Sequence, residues 1–316
     1  MRSFTTAIPN ELVISHEFED GLMQYSLCCV LVNWNLAEDT IECIDSLLSA
    51  GLPCERIIIV DNGSTDGSVP KISRKFGSDL IWINNENNRG FVFACNQGIQ
   101  IALELGCDWI FILNNDAIVA PDFFSIFEKA VQEYPSYELL GPSIFDAQEP
   151  QRILFMGDKR FPLSLATYSV SKAKAKKDGQ PDIIPVDFLN GCAMLVEKEV
   201  FRKIGKFDES LIMYGEEVDF CWRAGQAGFH LACIRQAKVW HKSSKSANKV
   251  KKQARFLKIR NQIIFYRKYA HGIQRPVMFV FTIMKIVSIG FKDIFSQQTN
   301  LLSSLISGWY QGWFVR

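Results

Sequence analysis

Between Asp219 and Asp293 the chain has no acidic residue, and several other features that announce a protein class are missing as well. The nine cysteines form no Cys-x-x-Cys pair. No zinc or disulfide framework is therefore legible, and reduced thiols of a cytosolic kind are expected, with Cys28 and Cys29 packed inside a strand. The opening residues lack the basic-then-apolar order of a secretory leader, so residues 1–26 are expected to be a polar extension. No uninterrupted apolar run of ~20 residues is present, which argues against a membrane-spanning helix. Internal repeats and low-complexity tracts are absent. So is a glycine-rich phosphate loop after the first apolar strand, where the sequence reads Asn33-Trp-Asn-Leu-Ala-Glu38.

What is present is a globular composition: 316 residues, 48% hydrophobic and 22% charged. That suffices for one large domain with an appendage. The net charge of +1 conceals a polarised chain. Residues 1–219 hold 33 acidic and 18 basic residues, whereas the acid-free stretch after them holds 16 Lys and Arg. A basic segment joined to an acidic body implies an anionic partner.

From 27 to 145 apolar runs alternate with helix-period segments. Strands are predicted at 27–33, 56–61, 80–84, 108–114 and 138–144, and helices at 37–50, 66–76, 91–105 and 121–134. This alternation gives an α/β fold with a mainly parallel central sheet. Residues 146–186, with a Lys-rich stretch at 171–177, read as a variable loop or small hairpin layer. An apolar strand over 188–196 carries Gly191 in mid-run, where a glycine marks close approach of a ligand or another backbone. A short helix at 198–204, an acid-led helix at 215–228 and two short strands at 229–233 and 237–240 follow. The expected organisation is an extension (1–26), a catalytic unit (27–245) and a basic helical region (246–316). Within the last, Thr282, Lys285, Ser288, Lys292 and Ser296 form a narrow polar stripe over 276–296, and Leu305, Trp309 and Trp313 belong to an apolar stripe over 301–314. Such amphipathic helices suit a membrane interface, or packing on the body or a second subunit.

The chemistry concentrates at strand ends. In an open α/β sheet ligands bind beyond the carboxyl ends of the strands. Three strands here run into oxygen-rich clusters: Asn33-Trp34-Asn35, Asp61-Asn62-Gly63-Ser64-Thr65-Asp66 and Asn114-Asn115-Asp116. Such groups suit a nucleotide's base and ribose, and a divalent metal on its diphosphate. Asp61 is a candidate acceptor for a base N–H or ribose hydroxyl, with Asn62 and Gly63 in the turn and Asp66 capping the next helix. Asp116 offers a carboxylate to Mg2+ or Mn2+, Asn114 an amide oxygen, and His241, ending another strand, an imidazole. Asn88-Arg89-Gly90-Phe91 with Asn96 opens a helix; Arg89 is placed to face phosphate and Gly90 permits close backbone approach. Glu216 and Glu217 follow the apolar-aromatic run Leu211–Tyr214. Glu217 is the candidate general base for an attacking hydroxyl, with Glu216 orienting it or binding the acceptor.

Taken in order, Val30-Leu-Val-Asn-Trp-Asn35, Val60-Asp-Asn-Gly-Ser-Thr-Asp66, Asn88-Arg-Gly-Phe91, Leu113-Asn-Asn-Asp116, Asn190-Gly-Cys-Ala193, Gly205-Lys-Phe-Asp-Glu209, Tyr214-Gly-Glu-Glu-Val-Asp219 and Val239-Trp-His241 resemble the inverting glycosyltransferase family two, in its rhamnosyltransferase-like branch. The resemblance covers about 27–270. It implies an A-type nucleotide-diphospho-sugar transferase fold and metal-dependent, single-displacement transfer. Asp61 would contact the base, Asp116 the metal, and Glu217 would activate the acceptor. The donor site would also draw on Asn33, Asn35, Glu38, Asn62, Asp66, Arg89, Gly90, Asn96, Asn114, Asn115 and Gly191. Two motifs depart from the family pattern: Asp-x-Asp reads Asn114-Asn115-Asp116, and Glu-Asp reads Glu216-Glu217. Members of this kind build surface polysaccharide such as O-antigen. The resemblance thus implies a nucleotide-diphospho-sugar donor such as dTDP-rhamnose, a lipid-linked saccharide acceptor, and peripheral docking on the inner face of the cell membrane.

Three rivals stand beside this reading. A nucleotidyltransferase needs the phosphate loop that is missing. A non-catalytic sugar-nucleotide-binding scaffold of a polysaccharide assembly complex is compatible with the Glu217 departure. A nucleic-acid partner is not expected, because the aromatics follow apolar helix faces and not a stacking platform.

Overall fold

The predicted alternation folds around one large twisted sheet, seen in a computed structural model that describes residues 25–161, 165, 167–170, 182–242 and 251–314. The extension before Tyr25, the Lys-rich stretch 171–177 and the boundary at 245 lie outside the described residues. The central parallel strands are β1 (Leu27–Asn33), β2 (Ile57–Asn62), β3 (Ile81–Asn85) and β4 (Trp109–Asn114). The short β5 (Ala117–Val119) follows, then β6 (Leu139–Asp146). A small layer comprises β7 (Ile153–Phe155), β8 (Asp158–Arg160) and β9 (Thr167–Ser169). β10 (Ile183–Val186), β11 (Ala193–Glu197) and β12 (Leu231–His241) complete the set. The order across the sheet is β10-β12-β6-β11-β4-β1-β2-β3, with β5 pairing β12 and β7 pairing β6. β1, β2, β3 and β4 are parallel neighbours, β6 and β12 are parallel, and β11 runs antiparallel between β4 and β6.

Helices cover both faces, which is why these strands read as continuous apolar runs. On one face Leu27, Cys29, Leu31, Ile57, Ile59 and Phe111 meet α1 (Ala37–Ser49) and α4 (Phe123–Glu133). On the other, Cys28, Val30, Ile58, Ile110 and Ile112 meet α3 (Phe91–Glu104), α5 (Lys198–Ile204) and α6 (Glu216–Gln226). Between β2 and β3 lies α2 (Ser68–Phe76).

The structure departs from the sequence reading in several places. Cys28 and Cys107 form a disulfide with Cα atoms 6.1 Å apart, so the expectation of reduced thiols fails for this pair. They are 79 residues apart in sequence and meet only because β1 and β4 are neighbours, so no local spacing announced them. The strand expected from 188 begins at Ala193. Before it the Asn190 side chain accepts from Cys192 N at 2.9 Å, a turn that strand hydrogen bonding does not accommodate. The two short strands predicted around 235 are one strand, β12, with an irregularity between Ile234 and Lys238. Polar Arg235 and Gln236 sit there and mimic a turn in the sequence.

The C-terminal helices are α7 (Lys251–Tyr269), α8 (Gln274–Phe295) and α9 (Leu302–Phe314). α7 is part of the body: Phe265 and Tyr266 join the core beneath α6. α9 lies so close to α7 that a Cβ at Gly308 would meet Phe256 O at 2.7 Å. Of the polar stripe of α8, Thr282 and Lys285 turn inward, whereas Ser288, Lys292 and Ser296 are exposed. Thr282 is buried and accepts from both Trp309 Nε1 and Trp313 Nε1 at 3.1 Å. Lys285 donates to Gln262 Oε1 at 2.6 Å.

Candidate active site

The ends of β1, β2 and β4 are tied by one buried network. Asn33 Nδ2 donates to Asp61 Oδ2 at 2.7 Å and Thr40 Oγ1 donates to Asn33 Oδ1 at 2.8 Å. Asn115 Nδ2 donates to Thr40 Oγ1 at 2.8 Å. Asp61 Oδ1 accepts from Ser64 N at 2.8 Å, closing the turn after β2. Each amide thus aligns a neighbouring strand end, and the three clusters gather at the carboxyl ends of these parallel strands.

In front of this network lies a cavity of about 240 Å3. Asn62, Asn114, Asn115, Asp116, Gly191, Glu216, Glu217 and His241 line it, and Asn33 and Asp61 are buried behind it. Asn62 holds the next turn, donating to Asn88 Oδ1 at 3.0 Å and Gly90 O at 3.1 Å while accepting from Arg89 N at 3.2 Å. The Arg89 guanidinium lies over the Phe93 ring, 3.4 Å from its centroid. Asn35 accepts from Thr65 N at 2.8 Å and so clasps the two turns. Asn35, Arg89 and Gly90 thus flank the cavity without lining it, and three further predicted donor-site residues stand farther off. Glu38 is exposed and pairs with Lys71 at 2.8 Å. Asp66 is not the N-cap expected of it: Gly67 holds that position, and Asp66, one residue earlier, accepts from Ser68 N at 3.0 Å. Asn96 is buried and holds the loop at Phe207, donating to its carbonyl at 3.0 Å and accepting from its N–H at 3.1 Å.

Asp116 and His241 meet because β12 pairs antiparallel with β5, setting His241 opposite Ala117. His241 Nε2 lies 3.0 Å from Asp116 Oδ1 and 3.4 Å from Asn114 Nδ2. Burial opposes a charged ring, but Cys192 and Asp116 outweigh it and raise the His241 pKa to about 11. The pair fits a hard divalent ion: one carboxylate and one imidazole that would give up its proton on binding, nearly buried, in an oxygen-rich cavity. No group of three His, Cys, Asp or Glu among the described residues forms a complete site. Two protein donors accord with an ion whose remaining ligands are diphosphate oxygens and water.

Glu216 and Glu217 open α6 behind Gly215, whose φ of 89° suits glycine. Burial, then the charge of Glu217, raises the Glu216 pKa well above the usual glutamate range. Its Oε2 has no hydrogen-bond partner among the described residues. Burial raises Glu217 too, countered by Gly215 N, which donates to its Oε2 at 3.0 Å, and by the charge of Lys258. Lys258 stands over the Tyr214 ring, 4.6 Å from its centroid. A half-buried carboxylate with a raised pKa in such a cavity can take a proton from an entering hydroxyl.

The site-residue set drawn from the sequence omitted Trp34, Phe91, Cys192, Met213 and Tyr214, all of which line the cavity. Trp34 and Tyr214 stood inside quoted motifs, and Cys192 directly follows Asn190-Gly191.

The family model of Glycosyl transferase family 2 matches residues 28–205. A low-salt glycan biosynthesis hexosyltransferase of Haloferax volcanii is 25% identical over 285 residues, 90% of this chain and 82% of that protein. An N-acetylglucosaminyl-diphospho-decaprenol L-rhamnosyltransferase of Mycobacterium tuberculosis is 27% identical over 226 residues, 64% of this chain and 72% of its own. Among solved structures, a mannosyltransferase from Pyrobaculum calidifontis in complex with GDP-Man and Mn2+ superposes with a TM-score of 0.55 at 13% identity, over 92% of this chain and 87% of that one. GalNAc-T7 with UDP, GalNAc and Mn2+ gives 0.56 at 16% identity, over 77% and 50% of the two chains. These neighbours share the A-type glycosyltransferase fold that the family resemblance implies. The order of motifs along the sheet and the family match over more than half its length agree: the chain belongs to glycosyl transferase family 2 and is a glycosyltransferase.

Proposed function

We propose that the protein moves a hexosyl group, with inversion, from a nucleotide-diphospho-sugar to a hydroxyl of a lipid-linked saccharide, with dTDP-rhamnose as the first donor to test. One observation carries the reading: Glu216 and Glu217 line the same cavity as Asp116 and His241, at the carboxyl ends of the strands. The curated relatives named for rhamnosyl and hexosyl transfer support the choice of sugar, and the diphospho-decaprenol in one name supports the choice of acceptor.

The donor lies along the ends of β1, β2 and β4, its base at the turn that Asp61 braces. Asn33, Asn35 and Asn62 hold that turn and its neighbours in place. Asp116 and His241 would hold Mg2+ or Mn2+, with Asn114 beside them. That ion would supply Lewis-acid stabilisation of the charge on the departing nucleoside diphosphate. Glu217 accepts the proton of the attacking hydroxyl as its oxygen bonds the anomeric carbon from the face opposite the leaving group. Burial keeps Glu217 a stronger base than an isolated glutamate. Glu38, Asp66 and Asn96 take structural parts in this scheme.

The test pairs binding with turnover. A thermal-shift screen of nucleotide-sugars with Mn2+ identifies the donor through the rise in melting temperature that ligand binding imposes. Transfer from that donor to a diphosphate-lipid-linked N-acetylglucosamine is then followed by chromatography of the lipid product. Donor binding without any transfer, on this or other saccharide acceptors, would favour the scaffold reading instead.

A further inference from the structure

We infer that the outward face of α8 and α9 docks on an anionic phospholipid membrane, in the plane of its headgroups. The inference does not depend on which sugar is moved.

The first support is the apolar outward side of α8. α8 directs Thr282 and Asp293 inward, where water does not reach them. Outward it shows Val277, Val280, Met284, Val287, Phe291 and Phe295, of which Phe291 is 59% and Phe295 85% exposed. Most of these recur at spacings of three and four, which makes one continuous stripe. α9 extends it with Ile306, Tyr310 and Phe314, again four apart and all exposed. Water-soluble chains seldom leave so large a contiguous apolar surface unmatched.

Charge selects the occupant. Residues 251–314 contain ten Lys and Arg and a single acid, Asp293. That acid is buried and bonded by both Arg255 Nη1 and Nη2, at 2.9 and 3.3 Å. These three helices therefore present no exposed carboxylate, while exposed Arg275 and Lys292 stand near the two ends of the α8 stripe. A second copy would set cations against cations. Anionic headgroups complement them, each Lys or Arg near such a surface adding to the attraction. No helix among the described residues is long and apolar enough to cross a membrane, and an apolar stripe confined to one side fits a helix lying in the interface.

α7 links this face to the cavity. It packs on α9 along Gly308 and Gly312, and its Asn261 grips the loop that carries Met213 and Tyr214. Docking thus fixes the cavity's height and tilt over the surface.

The full chain is sedimented with vesicles of phosphatidylcholine containing about a third phosphatidylglycerol, and with vesicles of phosphatidylcholine alone. Met284→Asp combined with Phe291→Asp is the variant, since each side chain is 59% exposed. The expected result is strong pelleting on the anionic vesicles, weakened about tenfold or more by the double substitution or by high salt, with an unchanged melting temperature. Wild-type protein left in the supernatant, equal partition onto neutral vesicles, or undiminished pelleting of the variant would overturn the inference. So would a wild-type dimer in light scattering that the double substitution dissociates, which would assign the face to a second copy.

Discussion

His241 Nε2 and Asp116 Oδ1 touch at 3.0 Å, although one ends β12 and the other follows β4. The contact exists because a three-residue strand, β5, pairs with the last residues of β12. If this pair holds the metal, Asp116→Asn lowers kcat/KM on the order of 10²–10³-fold, the worth of several kcal/mol of leaving-group stabilisation. His241→Ala shifts the Mn2+ concentration needed for half-maximal rate upward. Chelation stops transfer by the wild type and added Mn2+ restores it. Transfer rate titrated against Mn2+ checks all three, and full activity in excess chelator would remove the assignment.

The two glutamates of α6 separate by their pH behaviour. Glu217 acts as a base only when ionised, and burial raises its pKa. The acid limb of kcat/KM therefore lies above the ordinary glutamate value of about 4.3. Glu217→Gln spares donor binding and lowers transfer roughly 10²–10⁴-fold. For Glu216 the raised pKa bears on stability: its contribution is fully present below the ordinary glutamate range and is lost as pH rises through the raised folded-state value. Glu216→Gln removes that loss, so the variant melts a few degrees higher than wild type near neutral pH and gains nothing in acid. Melting curves across pH decide this point, and an advantage that persists in acid would contradict it.

The strand ends were legible because apolar runs stop abruptly at carboxylates and amides, and Asn33, Asp61 and Asn114 do end β1, β2 and β4 or fall one residue short. What escaped depends on long-range pairing. Cys28 and Cys107 become partners through strand order alone. Cys192 reads as core until the turn at Asn190 aims it at His241. Asn96 stood among polar motif residues, but its amide closes a loop more than a hundred positions away. For α8 the periodicity showed which residues share a side, yet not which side faces in. Thr282 is turned in, where it accepts from two indoles on α9, while Ser288 and Lys292 of the same stripe stay exposed.

Asn261 has a similar organising part. Its Nδ2 lies 2.7, 2.8 and 2.7 Å from the carbonyls of Leu211, Met213 and Tyr214. Ile212 and Tyr214 in this loop have φ of 63° and 69°, conformations that branched or bulky residues resist without outside support. Asn261→Ala leaves these carbonyls without that donor and releases the strain. Stability falls by about 2–3 kcal/mol, and the cavity wall formed by Met213 and Tyr214 loosens. Denaturant unfolding should show the loss. Acceptor KM should rise more than donor KM, whereas equal changes in both would mean that the loop serves folding alone.

Thr282 separates packing from surface chemistry on the same helix. Its hydroxyl donates to Phe279 O at 2.8 Å and accepts from two indole N–H groups of α9. Thr282→Val keeps the shape but leaves both indoles without that acceptor in a half-buried seam. Each lost bond costs about 1 kcal/mol, more where water cannot enter. The variant should therefore be destabilised by about 2 kcal/mol, with a shift in tryptophan emission as Trp309 and Trp313 lose their common partner. Thr282→Ser, which keeps the oxygen, should recover most of the loss. An unaltered emission spectrum and unfolding midpoint in Thr282→Val would mean that α9 is held by apolar contact with α7 and not by this hydroxyl.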